Sequence, residues 1–366
     1  MSEFADLHDD LRGVARELLG KDADAGTRWR QAADAGWLGL EVPELLDGSG
    51  VTFAETAVVL EELGRATAAV PFLGSAVLGV AAAQAVEPGA GRDGLLRALA
   101  TGEARVAVAL APHADAASPV APFRLDAGGR LSGRADLVVD ADTADHLLVL
   151  AEASEGLVLV HLPSLPADRP DPVDPGVPNE VRVVVEPVLD ASRGFASVAA
   201  DDLAVPGDDV WRFTGDPLAT AGAVLDRAAV AVAVDAYGIA AAMLDATVAY
   251  VGVRRQFDRA IGSFQAVKHQ CADGLVHLRL GRELLQEATA AVAAGDADAG
   301  KAASRAKSYL GDTAVEVVGT AMQLHGGIGY TWESGIHRFL KRALLDRSLF
   351  GSPDAHRRRL ADLLWP

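Results

Sequence analysis

Gln323-Leu324-His325-Gly326-Gly327-Ile328-Gly329-Tyr330-Thr331-Trp332-Glu333 interrupts an otherwise helical half of the chain. Three glycines in four positions admit positive φ and let another group approach the backbone closely. Apolar spacing predicts a helix over 312–324 leading into this stretch and another over 337–349 leaving it. A tight glycine turn between helices exposes backbone N–H groups, which suit an anion such as a pyrophosphate. Taken alone, the same pattern also describes a plain helix connection.

Working outward, residues 219–253 are apolar on nearly all sides, which predicts a helix buried in a bundle or at a subunit interface. At about 1.5 Å per residue it spans roughly 50 Å. Helices over 264–293, 298–324, 337–349 and 353–364, with short connections, predict a four-helix-type bundle. Upstream the period falls from 3.6 to 2 at Arg105. Short strands are expected over 106–110, 123–125, 135–139, 146–151, 156–162, 181–188 and 197–204. Asp, Gly and Pro clusters separate them at the spacing of a sandwich or barrel, with an irregular Pro-rich loop over 165–178. Residues 1–104 return to helical spacing. Phe4, Leu7, Leu11, Val14, Ala15 and Leu18 mark one amphipathic helix. Further helices are expected over 29–36, 53–63 with Thr52 as N-cap, 75–85 closed by Gly91-Arg92, and 94–101. The expectation is an α+β chain of three domains: helical 1–104, β 105–205 and a helical bundle 206–366.

Composition narrows the classes. At 366 residues more than one core is expected. Acidic residues outnumber basic ones 51 to 33, a formal charge of −18, which argues against nucleic acid. No uninterrupted apolar run approaches the roughly 20 residues of a membrane helix, and Met1-Ser-Glu-Phe-Ala-Asp lacks the pattern of a signal peptide. The single cysteine, Cys271, permits no internal disulfide and fits a reducing cytoplasm. His269 and Cys271 lack metal-ligand spacing with a second pair, so no metal is expected.

These landmarks together resemble the acyl-CoA dehydrogenase family over nearly the whole chain. Trp37-Leu-Gly-Leu-Glu-Val-Pro43 and Val58-Val-Leu-Glu-Glu-Leu-Gly64 look like its opening. Arg254-Arg-Gln-Phe-Asp-Arg-Ala-Ile-Gly-Ser-Phe-Gln265, continuing to Lys268-His269 and Ala272-Asp273, looks like one of its specific signatures. The glycine stretch, extended to Lys341-Arg342-Ala343, looks like the other. The resemblance implies a helical domain, a β domain and a helical bundle, with FAD bound at a subunit interface. Arg254, Gln256 and Phe257, with Gln323, Gly326 and Gly327, match positions that meet a neighbouring chain's FAD. The chemistry agrees: an arginine fork suits pyrophosphate oxygens, and glycine backbones allow close approach.

The sequence also departs from the family pattern. The family's α,β-dehydrogenation of an acyl-CoA thioester needs a carboxylate over the α carbon. Counting forward from Gly329, the usual position holds Phe350, directly before Gly351. Counting back from Gly238, the alternative position holds Ala228. Asp226 is rotated about 200° from that second slot. Asp235 shares its face but lies about 10 Å along the axis, and Asp346 lies one turn before Phe350. Hydrogen-bonded structure for Asp235 and surface pairing with an arginine for Asp346 are the competing readings. Trp332-Glu333 is expected to anchor the turn and His325 to make a turn or interface contact.

The flavin-holding loops of the β domain are replaced too, by Ala111-Pro-His-Ala-Asp-Ala-Ala-Ser118 and Gly133-Arg-Ala-Asp-Leu-Val-Val-Asp140. The leading expectation is therefore the degenerate partner subunit of an α2β2 acyl-CoA dehydrogenase, resembling those of bacterial steroid degradation. A Glu-bearing subunit would supply the base. The alternatives are a self-sufficient homotetramer whose displaced base is Asp235 or Asp346, and a flavin-free acyl-CoA-binding scaffold.

Overall fold

The computed structural model describes residues 5–21, 23–163 and 180–364. Phe4 and the loop expected over 165–178 lie outside them. Five helices open the chain: α1 (Ala5–Leu19), α2 (Ala25–Asp34), α3 (Phe53–Arg65), α4 (Val80–Gln84) and α5 (Ala90–Thr101). Helix α2 starts four residues before its expected position because Asp24 caps it, accepting the Thr27 N–H at 2.9 Å. Thr52 caps α3 in a reciprocal box. Its hydroxyl accepts from Ala54 N–H at 3.2 Å, and the Glu55 carboxylate accepts from Thr52 N–H at 2.9 Å. The helix expected over 75–85 is in fact a π-helical segment, Leu73–Gly79, that passes into α4. Nor does Gly91-Arg92 close that helix; both residues lie inside the first turn of α5.

Eight strands follow: β1 (Val106–Ala109), β2 (Phe123–Leu125), β3 (Arg130–Val139), β4 (His146–Ala153), β5 (Gly156–Leu162), β6 (Arg182–Val185), β7 (Phe195–Ala204) and β8 (Val210–Arg212). They form one mixed sheet in the order β6-β7-β3-β2-β4-β5-β8, with β1 parallel to β4 beside β2, where a sandwich or barrel was expected. Strand β8, three residues long and antiparallel to β5, has too few residues to show a period of two in sequence. Leu131, Leu147, Val149, Val160, Ala196 and Val198, all at 0% exposure, lie in a single core cluster drawn from seven strands.

The rest is helical: α6 (Pro217–Val253), a two-residue-strand hairpin β9 (Arg255–Gln256) and β10 (Arg259–Ala260), then α7 (Gln265–Ala294), α8 (Ala299–His325), α9 (Ile336–Ser348) and α10 (Pro353–Leu364). By length and composition α6 could cross a membrane, contrary to the sequence expectation. However, 89% of its most apolar window is buried in the protein, which identifies a core helix.

Contacts group the chain into two units. One comprises Met1–Asp22, Ala57–Ala68 and Ala229–Pro366; the other comprises Ala23–Thr56 and Ala69–Ala228. The second holds the sheet, and the π-helical segment is tied to it there. Gly74 N–H donates to Asp140 at 2.7 Å, and Ser75 Oγ accepts from Val106 N–H at 2.9 Å. In the first unit α8 packs on α7, α9 and α10, while α3 and α6 meet backbone to backbone. A Cβ at Gly64 would fall 2.3 Å from Asp235 O, and one at Gly238 would fall 2.2 Å from Glu61 O. Only glycine permits that approach.

Candidate functional site

Within the first unit, the two sequence signatures meet at one end of α6 and α8. The Tyr250 ring stacks on His325 with centroids 4.4 Å apart, and Tyr250 Oη donates to His325 O at 3.4 Å. One turn past Tyr250, Arg254 N–H closes α6 on Tyr250 O at 2.9 Å, and Ile261 N–H returns to Arg254 O at 2.8 Å. The hairpin between them turns at Phe257 and Asp258, whose φ values of 51° and 64° give the left-handed pair of a tight β-turn. Arg254, Gln256 and Phe257 are exposed, Phe257 at 85%. Among the described residues Arg254 enters no ion pair.

Across the Tyr250–His325 stack, Gly326 caps α8 at φ 64°, ψ −143°, a conformation that glycine alone adopts without strain. Gln323, Gly326 and Gly327 are exposed, and apart from adjoining residues and the helix's own backbone nothing among the described residues lies within 4 Å of a Cβ built on either glycine. Gly329 is different: it is buried, and a Cβ there would meet Met322 O at 2.6 Å. Gly329 is therefore glycine for the chain's own packing, whereas the space over Gly326 and Gly327 is open to a group from outside. His325 is held by its stack and by an Nδ1–H bond to Ala321 O at 2.7 Å. Trp332, 77% exposed, packs edge-on to His337 at 4.3 Å with Lys341 Nζ 5.1 Å from its ring. Exposed guanidinium, amide and backbone N–H groups on this surface fit a pyrophosphate-bearing ligand.

The two residues that the resemblance sets at the base positions, Phe350 and Ala228, are both buried. Phe350 is buried at 8% exposure with φ 53°, and its carbonyl accepts from His356 Nε2 at 2.8 Å. His356 Nδ1 accepts in turn from Ser304 Oγ at 3.1 Å, which assigns the tautomer. Asp346, one turn earlier, is not on the surface as read from sequence; it is 1% exposed. Beside it the buried Lys307 donates to Asp346 O at 2.7 Å and Arg347 O at 2.9 Å, completing the last turn of α9. Burial pushes the Lys307 ammonium down to about 7.

Asp235, 0% exposed, accepts from Arg342 Nε at 2.9 Å and Nη2 at 3.0 Å. Arg342 Nη1 continues to Ala68 O at 3.4 Å. Both carboxylate oxygens are thus engaged by one guanidinium, a structural geometry. Sequence reading quoted Arg342 in a motif without pairing it to Asp235. The available signal was an acid in an all-round apolar helix, which requires a buried cation somewhere in the fold.

In the other unit Ala228 is fully buried. The residue before it, Arg227, is a buried cation bonded to Glu41 and to Val77 O at 3.1 Å, with its guanidinium 4.4 Å above Phe53. Asp226 is buried as well. The segment 111–118 is held by Asp136 N–H donating to Pro112 O at 2.9 Å and by a bridge between His113 and Asp136. Among the described residues no group of three or more His, Cys, Asp or Glu side chains could hold a metal ion.

Known proteins share this arrangement. A model of the acyl-CoA dehydrogenase N-terminal domain matches residues 6–103, and a model of the C-terminal domain matches residues 217–364. Acyl-CoA dehydrogenase IpdE2 of Mycobacterium tuberculosis is 31% identical, covering 97% of this chain and 96% of its own length. Among solved structures, a variant of the Tcur3481-Tcur3483 steroid ACAD has a TM-score of 0.83 at 30% identity, over 99% of this chain and 98% of that one. The ChsE4-ChsE5 complex of Mycobacterium tuberculosis has a TM-score of 0.83 at 26% identity, over 100% and 98%. A helical opening, a central mixed sheet, a closing set of helices and a relative alike from end to end make one conclusion: this chain belongs to the acyl-CoA dehydrogenase family.

Proposed function

We propose that this chain is the partner subunit of an FAD-dependent acyl-CoA dehydrogenase, acting in an α2β2 assembly with a subunit that carries the catalytic glutamate. The observation that carries this is the state of the base positions. Phe350 and Ala228 are buried and apolar, and Asp235 is committed to Arg342. A carboxylate held by two charge-assisted bonds in the core is a poor proton acceptor at neutral pH. The chemistry that FAD would supply when bound is that of a hydride acceptor for the β carbon of the acyl-CoA thioester. This chain's part is to hold the cofactor of the catalytic neighbour: Arg254 and Gln256 through charge and hydrogen bonds, and Phe257 by covering it. Gln323 would offer its amide and Gly327 its backbone to the pyrophosphate and adenosine end, while Gly326, whose N–H closes α8 on Gln323 O, would let that end approach closely. The open space over Gly326 and Gly327 supports that role.

Two gene products are joined in the names of the Tcur3481-Tcur3483 steroid ACAD and the ChsE4-ChsE5 complex, which supports a hetero-oligomer and a place in fatty-acid or steroid breakdown. A cytoplasmic location and the three-domain division 1–104, 105–205 and 206–366 belong to the same reading.

The test is to purify the chain alone and together with a Glu-bearing subunit, recording mass, flavin absorbance and acyl-CoA turnover. The pair is expected to be a yellow, active tetramer and the chain alone to be inactive. Turnover by the chain alone at a rate like the pair's would overturn the proposal. In the pair, Arg254→Gln is expected to loosen FAD about tenfold or more, the loss of one charge-assisted bond.

A further inference from the structure

Apart from the hairpin and glycine turn, α1, α3, α6 and α7 of the first unit border a solvent-open cavity of about 430 Å³. Five arginines reach it. Arg12 and Arg16 lie one turn apart on α1, Arg65 ends α3, and Arg279 and Arg282 lie one turn apart on α7. In a chain of net charge −18 this concentration of guanidinium groups is a local construction rather than a surface average.

Carboxylates neutralise only part of it. Arg282 makes two 2.7 Å bonds to the buried Glu61, and Arg16 makes bonds of 2.9 and 2.8 Å to the buried Glu62. Arg65 meets the exposed Asp245 at 2.7 Å. Arg12 holds only Asp9, which is 79% exposed, and Arg279 enters no ion pair among the described residues. Set against Glu61, Glu62, Asp245 and Asp9, the five arginines leave one positive charge over, that of Arg279, while Arg12 is paired to an exposed carboxylate at the solvent edge.

Most of the remaining lining is apolar, with Leu275 exposed at its edge and the other apolar side chains buried. Tyr237, Ala241, Leu244 and Leu278 line the cavity, and the Arg282 guanidinium lies 4.2 Å from the Tyr237 ring centroid. The two buried glutamates lock the planes of Arg16 and Arg282, so spare N–H donors are held in place before any ligand arrives. A rim of oriented, unsaturated guanidinium donors over an aromatic floor matches a phosphate-type head on a compact ring-bearing body.

We infer that this cavity is a second ligand site, taking a small organic phosphate or pyrophosphate. The head lies between Arg12 and Arg279, and the body rests on Tyr237. None of its lining residues belongs to the hairpin or the glycine turn, so it stands independently of the proposed cofactor contacts.

Calorimetric titration of the full chain, with its partner where they copurify, tests this using ADP and inorganic pyrophosphate at constant ionic strength. Saturable binding of ADP is expected, tighter than that of pyrophosphate or sulfate. A double variant, Arg12→Gln with Arg279→Gln, is expected to weaken ADP at least tenfold while Arg254→Gln leaves it unchanged. Absence of saturable binding would overturn the inference. So would a loss with Arg254→Gln but not with the double variant, which assigns the anion to the glycine turn. Sulfate binding as tightly as ADP would mean an adventitious ion only. If the double variant melts lower than the parent, Arg279→Gln alone gives the same comparison, because that exposed side chain carries no ion pair among the described residues.

Discussion

Two regions of the first unit have opposite physical character. The hairpin 254–260 and the turn 323–330 present exposed polar groups and open backbone, with Arg254 unpaired by any carboxylate among the described residues. Phe350 and the pair Asp235–Arg342 are closed, each at or below 8% exposure. Surfaces kept polar and open cost folding little and suit a partner or ligand. A sealed core with buried charge is maintained only by full pairing. Under the proposed function the first region serves the cofactor of another chain, and the second has become structure.

The contrast breaks most sharply at Asp235. Asp235→Ala is expected to cost about 3–5 kcal/mol in urea unfolding, since it strands the Arg342 charge in the core. Removing both partners, Asp235→Leu with Arg342→Met, is expected to recover most of that loss. A working catalytic base would behave otherwise, with activity lost and stability kept. Phe350→Ala comes next, at about 3 kcal/mol, because a buried phenyl ring leaves a cavity. A loss under 0.5 kcal/mol would make residue 350 a surface lid instead of core.

Lys307 sharpens the comparison through pH. Its folded value is depressed to about 7, whereas the unfolded chain keeps the proton up to the ordinary lysine range. Between the two the unfolded state binds more protons, so stability rises with pH; below pH 7 both states carry the charge and the penalty is constant. Unfolding free energy is expected to gain about 2 kcal/mol between pH 7 and 9. Lys307→Met is expected to abolish that slope, and a slope unchanged in the variant would assign it to other groups. The smallest stability effect is expected at Arg254→Gln, within about 0.5 kcal/mol in thermal unfolding. A larger loss would mean that the hairpin arginine is part of the fold rather than of a ligand surface.

Much of this was legible in the chain. The all-round apolar run marked α6 as a core helix, and the change of period at Arg105 marked the start of the sheet. Thr52 signalled the start of α3, where the structure adds Glu55 as its reciprocal partner. Other features were not legible, for stated reasons. The π-helical segment 73–79 depends on its hydrogen bonds to Val106 and Asp140, 31 and 66 residues away. Asp346 reads as a surface acid because nothing local tells that α8 and α9 close over it. The arginine cavity draws on four helices spread from residue 12 to residue 282, and no local pattern assembles them.

What the sequence by itself determined is the inventory: helix, strand and helix by periodicity, and glycines where backbone must turn or touch. These follow from local sterics and hydrophobic patterning, which act within a few residues. Tertiary structure alone decided which buried charge meets which: Asp235 with Arg342, Arg227 with Glu41, Glu61 with Arg282. The reason is that desolvation forces each buried charge to find a partner, while the chain's path decides which one lies within reach. The two contact glycines, Gly64 and Gly238, belong to both accounts. Their identity was visible at once, but their purpose appears only where α3 and α6 touch through their backbones.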